Sequence, residues 1–310
     1  MQYMTLGQTA MKASRITFGC WEMGGEKWKL TSDETNIQVV RTALENGVNS
    51  FDTAEGYGAG HSETILGKAL EGRRKDCIIA TKVSPENLNS SSVRKSLEAS
   101  LKRLRTDYVD IYYIHWPNPG IPMEETMSAF NKLKEEGLLR AIGVSNFSLE
   151  QLKEALKLGR IDLIQPEYSL LQRDIEKGIL QFCSENRISV MSYSSIAKGI
   201  LTGVFHIGQT QLAEDDFRAP RRLFLKAHME KESELIHAMK KIADTRKITL
   251  SQLAISWLLH KEGLTSALVG TQNQKHLIEN IKAADIELTG DEMGNLDAVS
   301  MRVLNSIDAS

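Results

Sequence analysis

Four titratable side chains stand at or just beyond the ends of short apolar or β-branched runs: Asp52, Tyr57 five residues on, Lys82 and His115. Taken singly, each has an ordinary reading. Asp52 would cap a turn, Tyr57 would pack in a loop, Lys82 would be a solvated strand end and His115 a satisfied core histidine. Together their types fit one task. A free tyrosine titrates at about 10 and burial raises it, whereas a neighbouring ammonium favours the phenolate, each unit of lowering being worth about 1.36 kcal/mol. Lys82 supplies that charge provided it stays protonated, and Asp52 as its ion-pair partner would keep it so. His115 would then donate or share a hydrogen bond at a substrate oxygen. The set describes a phenol placed to protonate a carbonyl oxygen, a transfer typically worth about 10²–10⁴-fold. Such a donor needs hydride from elsewhere, and no side chain delivers it, so a nicotinamide cofactor is implied.

The elements that would position these residues alternate along the chain. Candidate strands are ITFGC (16–20), NSFDT (49–53), CIIATK (77–82), VDIYYIH (109–115), RAIGVSN (140–146), DLIQPEY (162–168), ISVMSYS (188–194) and TSALVGT (265–271). Several are nearly continuous apolar runs, as parallel strands covered on both faces require. Amphipathic helices lie between them; in 91–104, Val93, Leu97, Leu101 and Leu104 form one stripe. Capping boxes pair Thr31 with Glu34, Ser148 with Gln151, Thr249 with Gln252 and Thr289 with Glu292, and Gly47 and Gly137 stand at helix ends. The pattern predicts an α/β fold, a (β/α)8 TIM barrel over residues 1–310 as one domain, with a two-domain α/β arrangement as the alternative. The first ~15 residues read as a β-hairpin with Gly7 near its turn. A long loop after the seventh strand, residues 203–224, has no clear period, and such loops often serve as lids.

The bulk properties narrow the function further. A net charge of −2 over 310 residues leaves no basic excess for nucleic acid. The basic run Arg73-Arg74-Lys75 suits the negative end of a helix dipole. Three widely spaced cysteines, no membrane-length apolar run and no secretion signal predict a cytoplasmic protein without a membrane partner. GYGAGH has His61 where a dinucleotide fingerprint needs its third glycine, and GVSNF (143–147) lacks the second glycine of a nucleophile elbow. No metal motif is present. The glycines at 56, 58 and 60 are read as letting the backbone turn so that Tyr57 faces the barrel mouth, rather than as a phosphate cradle.

FDTAEGYG with Lys82 and YYIHWP resembles the aldo-keto reductase signature, and the resemblance runs nearly the whole chain, through GVSNF, Gln165, Tyr193 and VGTQNQKHLIEN (269–280). It implies Asp52, Tyr57, Lys82 and His115 as a catalytic tetrad and a small-molecule carbonyl or alcohol as substrate. It also implies an extended dinucleotide across the barrel mouth. Cys20, Trp21 and Asp52 would border that dinucleotide, with Ser145, Asn146 and Gln165 at its carboxamide and Tyr193 stacked on the nicotinamide. Ser194, Ser195, Ile196, Lys198, Gly199 and Leu201 would cover the pyrophosphate, although Ile196 and Leu201 read equally well as packing residues. Gly270, Thr271, Gln272 and His276 would surround the 2′-phosphate, and Glu279 and Asn280 the adenine. The family often places lysine and arginine where this chain has Gly270 and His276, so NADP(H) is favoured with NAD(H) as the alternative. Trp21, Tyr57, His115 and Trp116 would form an aromatic substrate pocket, joined by Trp28. Arg218, Arg221 and Arg222 read either as solvated loop charges or as ligands for a phosphate or an acidic substrate. Two other readings remain open: a Schiff-base aldolase or lyase acting through Lys82, and a cofactor-binding regulatory barrel without significant turnover. No oligomeric state is assigned.

Overall fold

The computed structural model describes residues 1–28, 31–208, 210–213 and 215–309. Strands β1 (Tyr3–Thr5) and β2 (Lys12–Ser14) pair antiparallel as the expected hairpin. Eight parallel strands then close a barrel: β3 (Ile16–Gly19), β4 (Ser50–Asp52), β5 (Ile78–Val83), β6 (Val109–Ile114), β7 (Leu139–Ser145), β8 (Leu163–Gln165), β9 (Ser189–Ser192) and β10 (Leu264–Gly270). They follow chain order around the barrel, and β10 pairs with both β9 and β3. Their ends fall within a few residues of the sequence expectation. β8 is shorter than expected because Pro166 follows it, and proline has no N–H for the ladder.

Helices α1 (Asp33–Glu45), α2 (His61–Ala69), α3 (Ser90–Leu104), α4 (Met123–Glu135), α5 (Leu149–Leu158) and α6 (Ile179–Glu185) fill the first six crossovers. After β9 come the long loop, then α7 (Lys226–Arg246) and α8 (Leu250–Leu259). After β10 come α9 (Gln274–Lys282) and α10 (Gly290–Asp308), the latter packed on α7. The capping boxes at Ser148, Thr249 and Thr289 all form, with side chain and backbone bonded reciprocally. Helix α1 is capped by Ser32 rather than Thr31, because the Ser32 hydroxyl is the one that reaches the Thr35 amide, at 3.2 Å. The basic run does not sit at a helix end. Arg74 lies in a short 3-10 turn, where its guanidinium pairs with Asp110 at 2.8 Å and covers the Tyr108 ring.

Strand periodicity sorts side chains between two apolar layers. Ile79, Tyr112, Ile142, Ile164 and Val190 face the helices. Ile78, Ala80, Ile111, Tyr113, Ala141, Leu163 and Met191 form a separate interior cluster together with Leu6 and Ala13 of the hairpin region, which therefore packs into the barrel's inner core. Asp52 pairs in register with Ala80, and Lys82 with Tyr113. The same alternation that fills the interior with apolar residues thus turns the charged residues inward at the C-terminal ends of the strands.

Tyr113 fits there because residue 143 has no side chain. A Cβ on Gly143 would lie 2.3 Å from Tyr113 ring carbons, so the ring occupies that space. Gly143→Ala should therefore displace the ring and destabilise the fold by about 1–3 kcal/mol, read as a lower urea midpoint with an unchanged slope. An unchanged midpoint would show that the interior relaxes around the added methyl.

Candidate active site

A buried chain of polar contacts rises through the barrel interior. The Lys82 ammonium is fully buried and forms an ion pair with Asp52. It also donates to the Thr53 carbonyl at 2.8 Å and to the Tyr57 hydroxyl at 3.3 Å. The other carboxylate oxygen of Asp52 accepts from Gln165 Nε2 at 2.7 Å. Three strand ends and one loop thus converge on a single charge network. Tyr57 stands over it with its ring 4.9 Å from Lys82 Nζ, and His115 meets that ring edge-on at 5.7 Å between centroids.

The electrostatics differ from the sequence expectation at one point. Burial raises the Tyr57 phenol above its ordinary value, and the opposing pull of the Lys82 ammonium does not overcome it. The phenol therefore keeps its proton at neutral pH. Burial works to lower Lys82, but the Asp52 charge and the bonds to Asp52 and Tyr57 prevail, so the ammonium is held more firmly than in water. Burial, aided by the Lys82 charge, lowers His115 to about 3, leaving a neutral imidazole.

Tyr57 reaches this position through backbone packing. Gly58 has φ of +62°, and a Cβ there would lie 2.2 Å from the Gly24 carbonyl oxygen. The Tyr57 loop therefore lies against the 3-10 turn Trp21–Gly24, backbone on backbone. This agrees with reading those glycines as a device for turning Tyr57.

A cavity of about 610 Å³ opens above Tyr57 and His115. Its lining includes the aromatic residues Trp21, Trp28, Trp116 and Tyr57, the segment Ser194–Ile196 with Lys198, Gly199 and Gly270, and the group Ser145, Asn146, Gln165 and Tyr193. Asn146, itself left-handed at φ of +62°, donates to the His115 carbonyl at 2.9 Å and accepts from the Tyr193 hydroxyl at 2.7 Å. Ser145 donates to the Gln165 carbonyl at 2.8 Å. These side chains brace one another, a role the sequence does not reveal. The amides of Ser194, Ser195 and Ile196 find no acceptor among the described residues, although all three residues line the cavity.

The loop 203–224 reaches this cavity, with Gln209 and Glu214 outside the described residues. Phe217 packs against Trp21 and Trp28, at 5.5 and 5.0 Å between centroids. Arg218 lines the cavity, is gripped by Asp216 at 2.7 Å and sits over the Trp28 ring. Arg221 also lines the cavity, whereas Arg222 pairs with Asp308 away from it.

Several expected cofactor residues do not line the cavity. Cys20 and Leu201 are fully buried in the core, where the apolar contacts of strand and turn place them. The Gln272 amide donates to the Glu22 carbonyl at 3.0 Å, and the Thr271 hydroxyl accepts from the Asn273 amide at 3.1 Å. His276 is exposed in the first turn of α9, Glu279 is half-buried on the same helix and Asn280 is buried, all outside the cavity lining. Conversely, Glu22, Glu26, Lys27, Ser84 and Glu167 line it without having been singled out. Glu167 is held by Lys198. The signal for Glu22 was its place directly after Trp21, at the end of the first barrel strand.

Residues 15–301 match the Aldo/keto reductase family model, and the chain belongs to that family. It is 36% identical to the aldo-keto reductase YhdN of Bacillus subtilis over 288 residues, 89% of this chain and 87% of that protein. It is 32% identical to the NADH-specific methylglyoxal reductase of Escherichia coli, covering 97% and 98% of the two chains. Among solved structures, an aldo/keto reductase from Klebsiella pneumoniae in complex with NADP and acetate superposes with a TM-score of 0.78 at 29% identity, covering 95% of this chain and 94% of that one. The chain is thus an oxidoreductase-family barrel.

The Lys82–Asp52 pair is the expected point of structural vulnerability. Lys82→Met removes the counter-charge and leaves a buried carboxylate, which should cost about 3–5 kcal/mol in urea unfolding at neutral pH. Part of that loss should return in Lys82→Met combined with Asp52→Asn, which leaves no unpaired buried charge. A loss of under about 1 kcal/mol would mean that solvent reaches the pair.

Proposed function

We propose that this protein reduces aldehydes or ketones to alcohols at the expense of a reduced nicotinamide dinucleotide, with Tyr57 as the proton donor. The observation that carries the reading is the contact chain Asp52–Lys82–Tyr57, which ends at the cavity floor beside a neutral His115. The cavity wall fits a dinucleotide: it combines an aromatic face at Tyr193, side-chain amides at Asn146 and Gln165, and three backbone amides that have no acceptor among the described residues and suit an anion. Ser145, Asn146, Gln165 and Tyr193 would hold the nicotinamide. Ser194–Ile196, Lys198, Gly199 and Arg218 would hold the diphosphate. The region of Gly270, Thr271 and His276 would meet any 2′-phosphate, with Glu279 and Asn280 toward the adenine. The bound cofactor would supply hydride to a carbonyl carbon.

The chain's own residues supply the remaining chemistry. Tyr57, kept protonated by burial, gives its proton from Oη to the carbonyl oxygen. The phenolate left behind faces the Lys82 ammonium, 3.3 Å away. Asp52 keeps that ammonium charged, and neutral His115 is free to make a hydrogen bond at the same oxygen. An ammonium held this firmly is a poor amine nucleophile, which favours proton transfer over a Schiff base. The tryptophan wall favours small and medium carbonyl compounds with an apolar or aromatic body. NADPH is the favoured coenzyme. The NADH-specific relative keeps NADH in contention, as does the lack of a lysine or arginine at positions 270 and 276.

The test follows loss of reduced-coenzyme absorbance with NADPH and NADH over a panel of aldehydes and ketones. Wild type should turn over, faster with NADPH at low concentration. Tyr57→Phe should lose about 10²–10⁴-fold in kcat with its coenzyme Kd unchanged. Equal rates in the two proteins would remove Tyr57 as the donor. Tight coenzyme binding with no turnover in either would favour a cofactor-sensing barrel.

A further inference from the structure

Glu22 stands out among the charged residues at the diphosphate end of the cavity. It lies in the turn after β3, lines the cavity beside Gly270, and its carboxyl makes no hydrogen bond or ion pair with any described residue. Its Oε1 lies 3.6 Å from where a Cβ on Gly270 would be, so the carboxyl rests against the bare backbone of residue 270. The two cations nearest that end are already balanced, Lys198 by Glu167 and Arg218 by Asp216. Exposed Glu26 and Lys27 on the same turn offset each other in formal charge, and exposed Arg221 acts on Tyr193. Among the described residues, ionisation of Glu22 therefore sets the charge of that end, adding a negative charge that its protonation removes.

We propose that Glu22 is a further binding-site residue that governs, through its protonation, how tightly the cavity holds an anionic dinucleotide. The inference rests on the reductase reading of this cavity. Burial pushes the Glu22 carboxyl up to about 7, against the opposing effect of the Arg218 charge. Burial lowers His115 to about 3 and raises Tyr57 and Tyr193, so these three shift away from that range. Below neutrality Glu22 is a neutral acid, and the amides of 194–196, which have no acceptor among the described residues, meet an incoming anion without a facing carboxylate at Glu22. Above neutrality its carboxylate competes for Arg218 and repels the diphosphate. Affinity therefore falls as pH rises, and by linkage binding takes up protons near neutrality.

NADH is the probe, because it lacks the 2′-phosphate whose own ionisation near pH 6 would confuse the profile. Its Kd is read from quenching of the cavity tryptophans in wild type and in the near-isosteric Glu22→Gln. Wild type should bind about tenfold more weakly at about pH 8.5 than at about pH 6, while Glu22→Gln should be flat and bind more tightly than wild type at the higher pH. Proton uptake, read from the buffer dependence of the calorimetric binding heat, should appear in wild type and vanish in the variant. Equal slopes in the two proteins, or no slope in wild type, would overturn the assignment while leaving the reductase reading intact. Absence of quenching by both NADH and NADPH at either pH would instead sink the reading of the cavity itself, and the assignment with it.

Discussion

A lysine ammonium and an aspartate carboxylate in contact, both out of reach of water, form the constraint around which this barrel is arranged. Neither charge could remain buried alone, since desolvating an unpaired ion costs several kcal/mol. The pair persists because it is fully satisfied. Lys82 also donates to Thr53 and Tyr57, and the second oxygen of Asp52 is taken by Gln165. Strands β4, β5 and β8 are thereby tied at their C-terminal ends by one network. The apolar layer of Ile78, Ala80, Ile111 and Leu163 beneath it excludes water from below.

From that constraint the protonation states of the candidate site follow. Burial keeps the Tyr57 proton in place, while the ammonium beneath offers a counter-charge to the phenolate once the proton has gone. The same ammonium, with burial, holds His115 neutral. The site therefore stores its proton on the phenol rather than on the imidazole. Above it, the braces among Ser145, Asn146, Gln165 and Tyr193 fix the middle of the cavity. The loop carrying Phe217 and Arg218 closes against Trp21 and Trp28 by aromatic contact. Rigid strand ends and a separately anchored loop give a site whose floor is fixed and whose cover belongs to a different segment.

The sequence by itself determined the elements and the charged set. Period-2 and period-3.6 patterns, capping boxes and glycine punctuation are local properties, so the eight strands, most helix starts and the hairpin were legible. Asp52, Tyr57, Lys82 and His115 were legible for the same reason: each follows or closes a run whose role is visible within a few residues. What only the tertiary structure decided depends on packing between distant segments. The balance at Tyr57 between burial and the Lys82 charge, the engagement of Gln165 with Asp52 and the exchange between Gly143 and Tyr113 all join residues far apart in sequence. The same holds for the core placement of Cys20 and Leu201. Glu22 is the sharpest case, because a carboxyl beside a cavity with no partner among the described residues can be recognised only from their placement in space.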